Sequence, residues 1–246
     1  MNAERLSDQD RLERERRHGL TILETNESNW GWHSAAGRIR WQRRLDFLRT
    51  ALPSGKGRVL EIGAGTGTFT AALSSAFADL TAIDISPDLL EVARCRAPSA
   101  TLLCMDAHDP EFDSETFDAV VGCSVLHHLD WSRALKAFFR ILKPRGVIRF
   151  SEPNLMNPQI YLQKNIPALK RLSGDSPDEY AFTAGAIRQD LIEGGFTAIV
   201  VEPYEFLHPA VPEPLITAVT RLESFLMRTP LRHIGGSLQI SADRAT

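Results

Sequence analysis

Val59-Leu60-Glu61-Ile62-Gly63-Ala64-Gly65-Thr66-Gly67-Thr68-Phe69 carries an apolar run straight into three alternating glycines. The run has the length and composition of a buried strand, and the residues beyond it return to a helical rhythm. Glycines at such a junction let the backbone turn tightly and approach a ligand that any Cβ would obstruct. About twenty residues on, Ala82-Ile83-Asp84-Ile85-Ser86 ends a second apolar run in an acid, where a carboxylate accepts hydrogen bonds from both hydroxyls of a ribose.

Those two features also suit a nicotinamide-binding domain, so the glycine spacing has to arbitrate. Dinucleotide fingerprints read G-x-G-x-x-G. Here Gly63, Gly65 and Gly67 give G-x-G-x-G, and Thr68 stands where the third fingerprint glycine would fall. A pyrophosphate cradle is therefore the poorer match. Glu61, a charge inside the strand end, has to bond something polar there, either loop amides or a ligand ammonium.

Outward from the loop, short apolar runs alternate with helix-length segments, which predicts successive β-α units and a mostly parallel sheet. Strands are expected near 58–62, 80–84, 100–104, 117–122, 146–151, 197–201 and 237–240, and late helices over 183–193 and 214–228. Before the sheet, 34–52 reads as an amphipathic helix with Ile39, Leu45, Leu48 and Leu52 on one side. Its Arg38, Arg40, Arg43 and Arg44 read as a solvated basic face, with a phosphate or carboxylate site as the alternative. Residues 1–18 alternate acids with arginines and read as a solvated helix or frayed arm without a catalytic role. From Glu152 onward, Pro153, Pro158, Pro167 and Pro177 punctuate an excursion of the kind that shapes a site or forms a lid.

At 246 residues, 43% hydrophobic and 24% charged, the chain suits one globular core, and a formal charge of -3 provides no field to gather nucleic acid. Cys95, Cys104 and Cys123 are odd in number and widely spaced, and read as buried thiols in a reducing cytoplasm rather than a disulfide framework. No run approaches the length of a membrane span, and the charged N-terminus lacks the apolar stretch of a signal peptide. The histidines lack ligand spacing with cysteines or carboxylates, so no metal site is expected.

Several motifs in order make the chain resemble the class I S-adenosylmethionine-dependent methyltransferase superfamily. Glu61-Ile62-Gly63-Ala64-Gly65-Thr66-Gly67 resembles its first motif, Asp84 with Ile85 its ribose-binding turn, and Met105-Asp106-Ala107 its adenine-binding motif. The stretch 117–129, through Cys123, His127 and His128, is similar to the fourth-strand motif, and 142–147 to the turn before strand five. The resemblance implies strand order 3-2-1-4-5-7-6 with strand seven antiparallel, and S-adenosylmethionine held by Glu61, Gly63, Ala64, Gly65, Gly67, Asp84, Ile85, Met105, Asp106, Ala107 and Cys123. It also implies a helical cap over 1–55, a catalytic domain over 56–246 and a lid-like insertion over 153–182.

The methyl group on a sulfonium needs an oriented, dehydrated nucleophile more than it needs covalent help. A hydroxyl or phenol acceptor calls for a base, for which His127, His128 and Glu152 are the candidates at the carboxyl edge of the sheet. Adjacent residues in extended chain point apart, so only one histidine is expected to face the acceptor. The other readings of these residues are packing or capping for the histidines and amide binding for Glu152. Trp30, Trp32, His33, Tyr161, Tyr180, Phe182 and His208 lie outside the matched core and are candidates for acceptor contacts. The string 151–158 resembles bacterial members that modify sugars, glycolipids or natural-product scaffolds. The sequence reading is thus O-methylation of a small molecule, with a nicotinamide-dependent oxidoreductase or a non-catalytic cofactor-binding scaffold as rivals.

Overall fold

In the computed structural model, which describes residues 8–24, 31–172 and 179–246, strands β1 (Arg58–Ile62), β2 (Asp79–Asp84), β3 (Thr101–Cys104), β4 (Phe117–Cys123), β5 (Leu142–Pro153), β6 (Phe196–Tyr204) and β7 (Ser237–Arg244) form one sheet. Its order is β3-β2-β1-β4-β5-β7-β6, and β7 runs antiparallel to both neighbours. The order reverses direction between β1 and β4, the switch point at which loops splay apart and leave a crevice.

Both faces of the sheet are covered, which is why its central strands read as continuous apolar runs. On one face α2 (Ala35–Arg49) and α3 (Thr70–Leu73) bury Leu45, Leu48 and Leu73 against Val59 and Val121, while α4 (Pro87–Arg96) places Leu90 over Ala82. On the other, α5 (Trp131–Ile141) and α8 (Ala184–Glu193) pack Leu135, Phe138, Ile187 and Leu191 onto Leu60, Val120 and Ile148. Helix starts follow local chemistry: Ser86, Asp130 and Thr183 each accept a backbone N–H three residues on.

Several expectations are corrected. The excursion after β5 holds two helices, α6 (Pro158–Asn165) and α7 (Pro167–Leu172), because each proline occupies a first helical position, where its missing N–H is harmless. The segment 142–147 is a bulged start of β5, with Arg145 at φ 64°, rather than a turn preceding it. Residues 8–24 form a helix, α1 (Asp8–Glu24), that packs on α4 through Gly19, where a Cβ would stand 2.7 Å from the Ser86 hydroxyl. The late helix is α9 (Ile216–Leu226). Cys95 and Cys104 are exposed rather than buried. Trp30 and Pro177 lie outside the described residues.

Candidate active site

A cavity of about 660 Å³ opens at the carboxyl ends of β1, β2 and β4, roofed by α1, α2, α6 and the segment after β6. The glycine loop forms its floor. Gly63 N and Ala64 N donate to the Ile83 carbonyl at 2.9 and 3.0 Å, and Gly65 N donates to Asp84 Oδ2 at 2.8 Å. The three glycines have different reasons to be glycine. A Cβ on Gly63 would strike Val125 at 2.6 Å and one on Gly67 would strike Ala93 at 2.9 Å, whereas one on Gly65 meets nothing within 4 Å and would project into open space. Two glycines therefore serve packing, and Gly65 leaves room for a ligand.

Glu61 is buried on this floor, and its Oε2 has no hydrogen-bond partner among the described residues. Burial pushes its carboxyl up to about 8 against the opposing effect of the Thr70 hydroxyl, with the charge of Asp84 adding to the rise. A buried acid held mainly neutral in this way would ionise when a cationic ligand group is placed beside it. Asp84 braces the loops: Oδ1 accepts from Ser86 N at 2.9 Å while Oδ2 holds Gly65, and burial still raises its pKa. Ile85, Met105, Ala107 and Cys123 also line the cavity, and burial pushes the Cys123 thiol up to about 11.

Asp106 is engaged on both oxygens, by His108 Nδ1 at 2.7 Å and Arg11 Nη2 at 2.6 Å. Burial alone would raise its pKa, but His108 and Arg11 hold it well below the usual carboxylate range. His108 Nε2 in turn accepts the Asp130 N–H at 2.7 Å, which ties the loop after β3 to the start of α5. Arg11 comes from α1, so the segment read as a solvated arm is part of the cavity wall.

His127 and His128 sit in a 3₁₀ turn (Leu126–His128), not in extended chain, so both rings line the cavity with centroids 4.3 Å apart. The expectation that only one could face it fails for that reason. Glu152 Oε1 accepts from Val125 N and Leu126 N at 2.9 and 3.0 Å, and Oε2 lies 2.8 Å from His127 Nδ1. A carboxylate only accepts, so His127 carries its hydrogen on Nδ1 and keeps a lone pair on Nε2. Glu152 itself is buried and stands behind the histidine rather than in the cavity wall. Burial, with His128 beside it, lowers the His127 pKa in spite of Glu152. Burial also works against charge on His128, but Glu15 at 3.2 Å and Glu179 at 3.8 Å outweigh it and raise its pKa.

Glu179, Lys164 and Glu15 carry no local motif, and only the fold brings them to the histidines. His127, His128 and Glu179 each bring one possible ligand atom within 4.8 Å of the others, a juxtaposition that the spacing of histidines and carboxylates in the sequence does not reveal. The Lys164 ammonium, 2.7 Å from Glu179 Oε2, already supplies positive charge there, and together with the histidines it draws the Glu179 carboxyl down to about 2.

Of the arginines of α2, Arg40 and Arg44 form the far wall and Arg43 is half-buried, so these three are not a solvated face, whereas Arg38 is exposed as expected. Arg44 is buried and lies 2.7 Å from Glu205, which also takes Arg40 at 2.9 Å, while Arg43 pairs with Glu223 at 2.7 Å. Trp32 stacks under Arg44 at 5.4 Å, and both line the cavity along with His208. Of the other aromatic candidates, Tyr161 is exposed, Phe182 is buried in the core and Tyr180 donates to the Leu129 carbonyl. His33 is exposed.

The strand order, the glycine loop at the switch point and the acid after β2 define a class I, nucleoside-binding α/β domain. A methyltransferase domain family matches residues 60–150. The demethylmenaquinone methyltransferase of Streptomyces avermitilis is 30% identical over 156 residues, which cover 60% of this chain and 67% of that protein. Its counterpart from Renibacterium salmoninarum is 32% identical over 157 residues, 61% of this chain and 65% of that protein, so the match stops just short of two thirds of its length. An S-adenosylmethionine-dependent methyltransferase from Thermotoga maritima, described as a possible histamine N-methyltransferase, superposes with a TM-score of 0.68 at 20% identity, covering 93% of this chain and 99% of that one. The chain belongs to the class I S-adenosylmethionine-dependent methyltransferase superfamily.

Proposed function

We propose that the chain transfers the methyl group of S-adenosylmethionine to an oxygen of a small molecule, with His127 as general base and Glu152 as its positioning residue. The observation that carries this reading is a single cavity holding both a glycine loop with room over Gly65 and an imidazole fixed by a buried carboxylate. When bound, the cofactor supplies an electrophilic methyl on a positively charged sulfur.

The chain's own residues do the rest. Asp84 holds the loop amide of Gly65 and offers its carboxylate to the ribose, and Glu61 receives the ammonium end. Met105, Asp106 and Ala107, which line the cavity with Ile85 and Cys123, would hold the adenine. His127 Nε2 takes the acceptor proton, and Glu152 keeps the imidazole in the tautomer that allows it. Within the insertion 153–182, α6 serves as the lid over the cavity of the catalytic domain 56–246, and α1 and α2 cap it from the N-terminal side. His128, raised in pKa and paired with Glu15, is a positioning residue on this reading.

The low net charge favours a small neutral acceptor over nucleic acid, in a cytoplasmic setting. Sugars, glycolipids and natural-product scaffolds are the acceptors that the resemblance of the string 151–158 suggests, and demethylmenaquinone stands in the names of two relatives. The test is transfer of isotopically labelled methyl to each class of acceptor, followed by mass spectrometry. Labelled product on oxygen supports the reading. Cofactor binding without product on any acceptor favours the scaffold alternative, and binding of a nicotinamide cofactor in place of S-adenosylmethionine overturns both.

A further inference from the structure

Helix α9 leaves one apolar side uncovered. The residue it buries is Glu223, whose Oε2 accepts from Phe206 N and Leu207 N at 2.7 and 2.9 Å and whose other oxygen pairs with Arg43. Ile216, Val219 and Leu226 are half-buried, but a second set of apolar side chains faces solvent: Leu215, at the entry to the helix, is 54% exposed, Leu222 55% and Phe225 65%. Positions 215, 218, 222 and 225 recur at helical spacing, so they form one outward stripe. Leu231, 52% exposed, continues it beyond the helix.

A second apolar surface adjoins the first. Tyr161 and Leu162 of α6 and Ile166 just past its end are exposed at 53%, 48% and 40%. Asn157, which caps α6, donates to the Ile234 carbonyl at 2.8 Å, and Asn154 donates to the His233 and Gly235 carbonyls at 3.0 and 2.7 Å, so the start of α6 is fastened to the turn that carries Leu231. The inner side of α6 lines the cavity through Gln159, Ile160 and Gln163. The helix is therefore a wall between the cavity and the apolar surface.

Charge selects what covers this surface. Arg221, Arg228 and Arg232 are exposed beside the stripe, and over 213–234 Glu213 is their one exposed carboxylate, since Glu223 is buried against Arg43. Two copies meeting face to face would oppose three arginines with three arginines. An anionic bilayer meets both requirements, taking the leucines and Phe225 below its headgroups and the arginines among its phosphates.

We propose that this face docks the protein on an anionic lipid membrane, with α9 lying in the headgroup plane and α6 beside it. No helix among the described residues is long and apolar enough to cross a membrane, so the attachment is peripheral. On the methyl-transfer reading it would bring the cavity wall to the surface from which a bilayer-dissolved acceptor enters, but the docking itself does not depend on that reading.

The full chain is to be sedimented with phosphatidylcholine vesicles containing one third phosphatidylglycerol, and with phosphatidylcholine alone. Preferential binding to the anionic vesicles is expected. Leu222→Ser with Phe225→Ser should weaken it by at least about tenfold. Arg221→Gln with Arg228→Gln should weaken it by about fivefold per arginine and flatten its salt dependence. Unchanged S-adenosylmethionine affinity and an unchanged melting curve establish that the variants are folded, and those readings do not require any acceptor to be known. Failure of the parent protein to sediment, equal binding to both vesicle types, or serine variants that bind as well as the parent would each overturn the proposal. So would a solution dimer that the two serines dissociate, which would make a second copy the occupant.

Discussion

Oε2 of Glu152 lies 2.8 Å from Nδ1 of His127, while its Oε1 accepts the two amides that begin the histidine turn. One buried carboxylate thus sets both the backbone of the turn and the orientation of the ring. The last residues of β5 and the loop after β4 become a single unit through it.

Replacing His127 with Ala should lower turnover by about 10²–10⁴ while leaving cofactor affinity nearly intact. Because burial lowers the His127 pKa, the rate of the parent enzyme should rise with pH and level off below the ordinary histidine value of about 6.5. Glu152 favours the charged imidazole, so Glu152→Gln should move that limb to still lower pH as well as reduce turnover. Unmoved pH profiles in both variants would show the pair to be structural.

The glycines separate packing from binding. Gly65→Ala adds a Cβ into open space at φ 52°, so the domain should remain folded at a penalty of about 1–2 kcal/mol. Its cofactor affinity should fall about tenfold or more, because the added methyl takes the ligand's room. Gly67→Ala drives a Cβ to 2.9 Å from the Ala93 backbone at φ 83°, and should destabilise the fold by about 2–4 kcal/mol. Urea melts and calorimetric titration distinguish the two outcomes.

Glu61 links stability to pH. Its folded pKa is raised to about 8, above the ordinary carboxylate value. The neutral form is thus favoured by folding, and that contribution is fully present below about pH 4.3 and lost as pH rises through about 8. Glu61→Gln, which stays neutral, should therefore melt higher than the parent at pH 9 by at least about 2 °C. The same substitution should weaken S-adenosylmethionine binding, since the ammonium loses its counter-charge. A variant that neither gains stability at alkaline pH nor loses affinity would remove Glu61 from the site.

Arg44→Met leaves Glu205 with Arg40 but without its buried partner, and should destabilise the protein by about 3–5 kcal/mol. The loss should be read from urea denaturation with cofactor absent. A change within about 0.5 kcal/mol would restore the solvated-face reading of α2.

The glycine run, the acid after β2 and the alternation of apolar runs with helical segments were legible because each is a local requirement: a tight turn, a carboxylate at a strand end, a strand buried on both faces. With the motifs after β3 and β4 they carried the resemblance to the family, which in turn implied the sheet order, and they pointed to Glu61, Gly65 and Asp84 as one site. The histidine turn was visible as a pair of residues but not as a geometry, since a 3₁₀ turn of three residues leaves no periodicity to read. What the chain's order hides is partnership across distance. Glu179 and Lys164 join the histidines from the insertion, Arg11 and Glu15 reach the cavity from α1, and Glu205 turns Arg40 and Arg44 of α2 inward. An arginine on a helix looks the same in sequence whether it faces water or a buried carboxylate, and only the packing of separate elements decides which it meets.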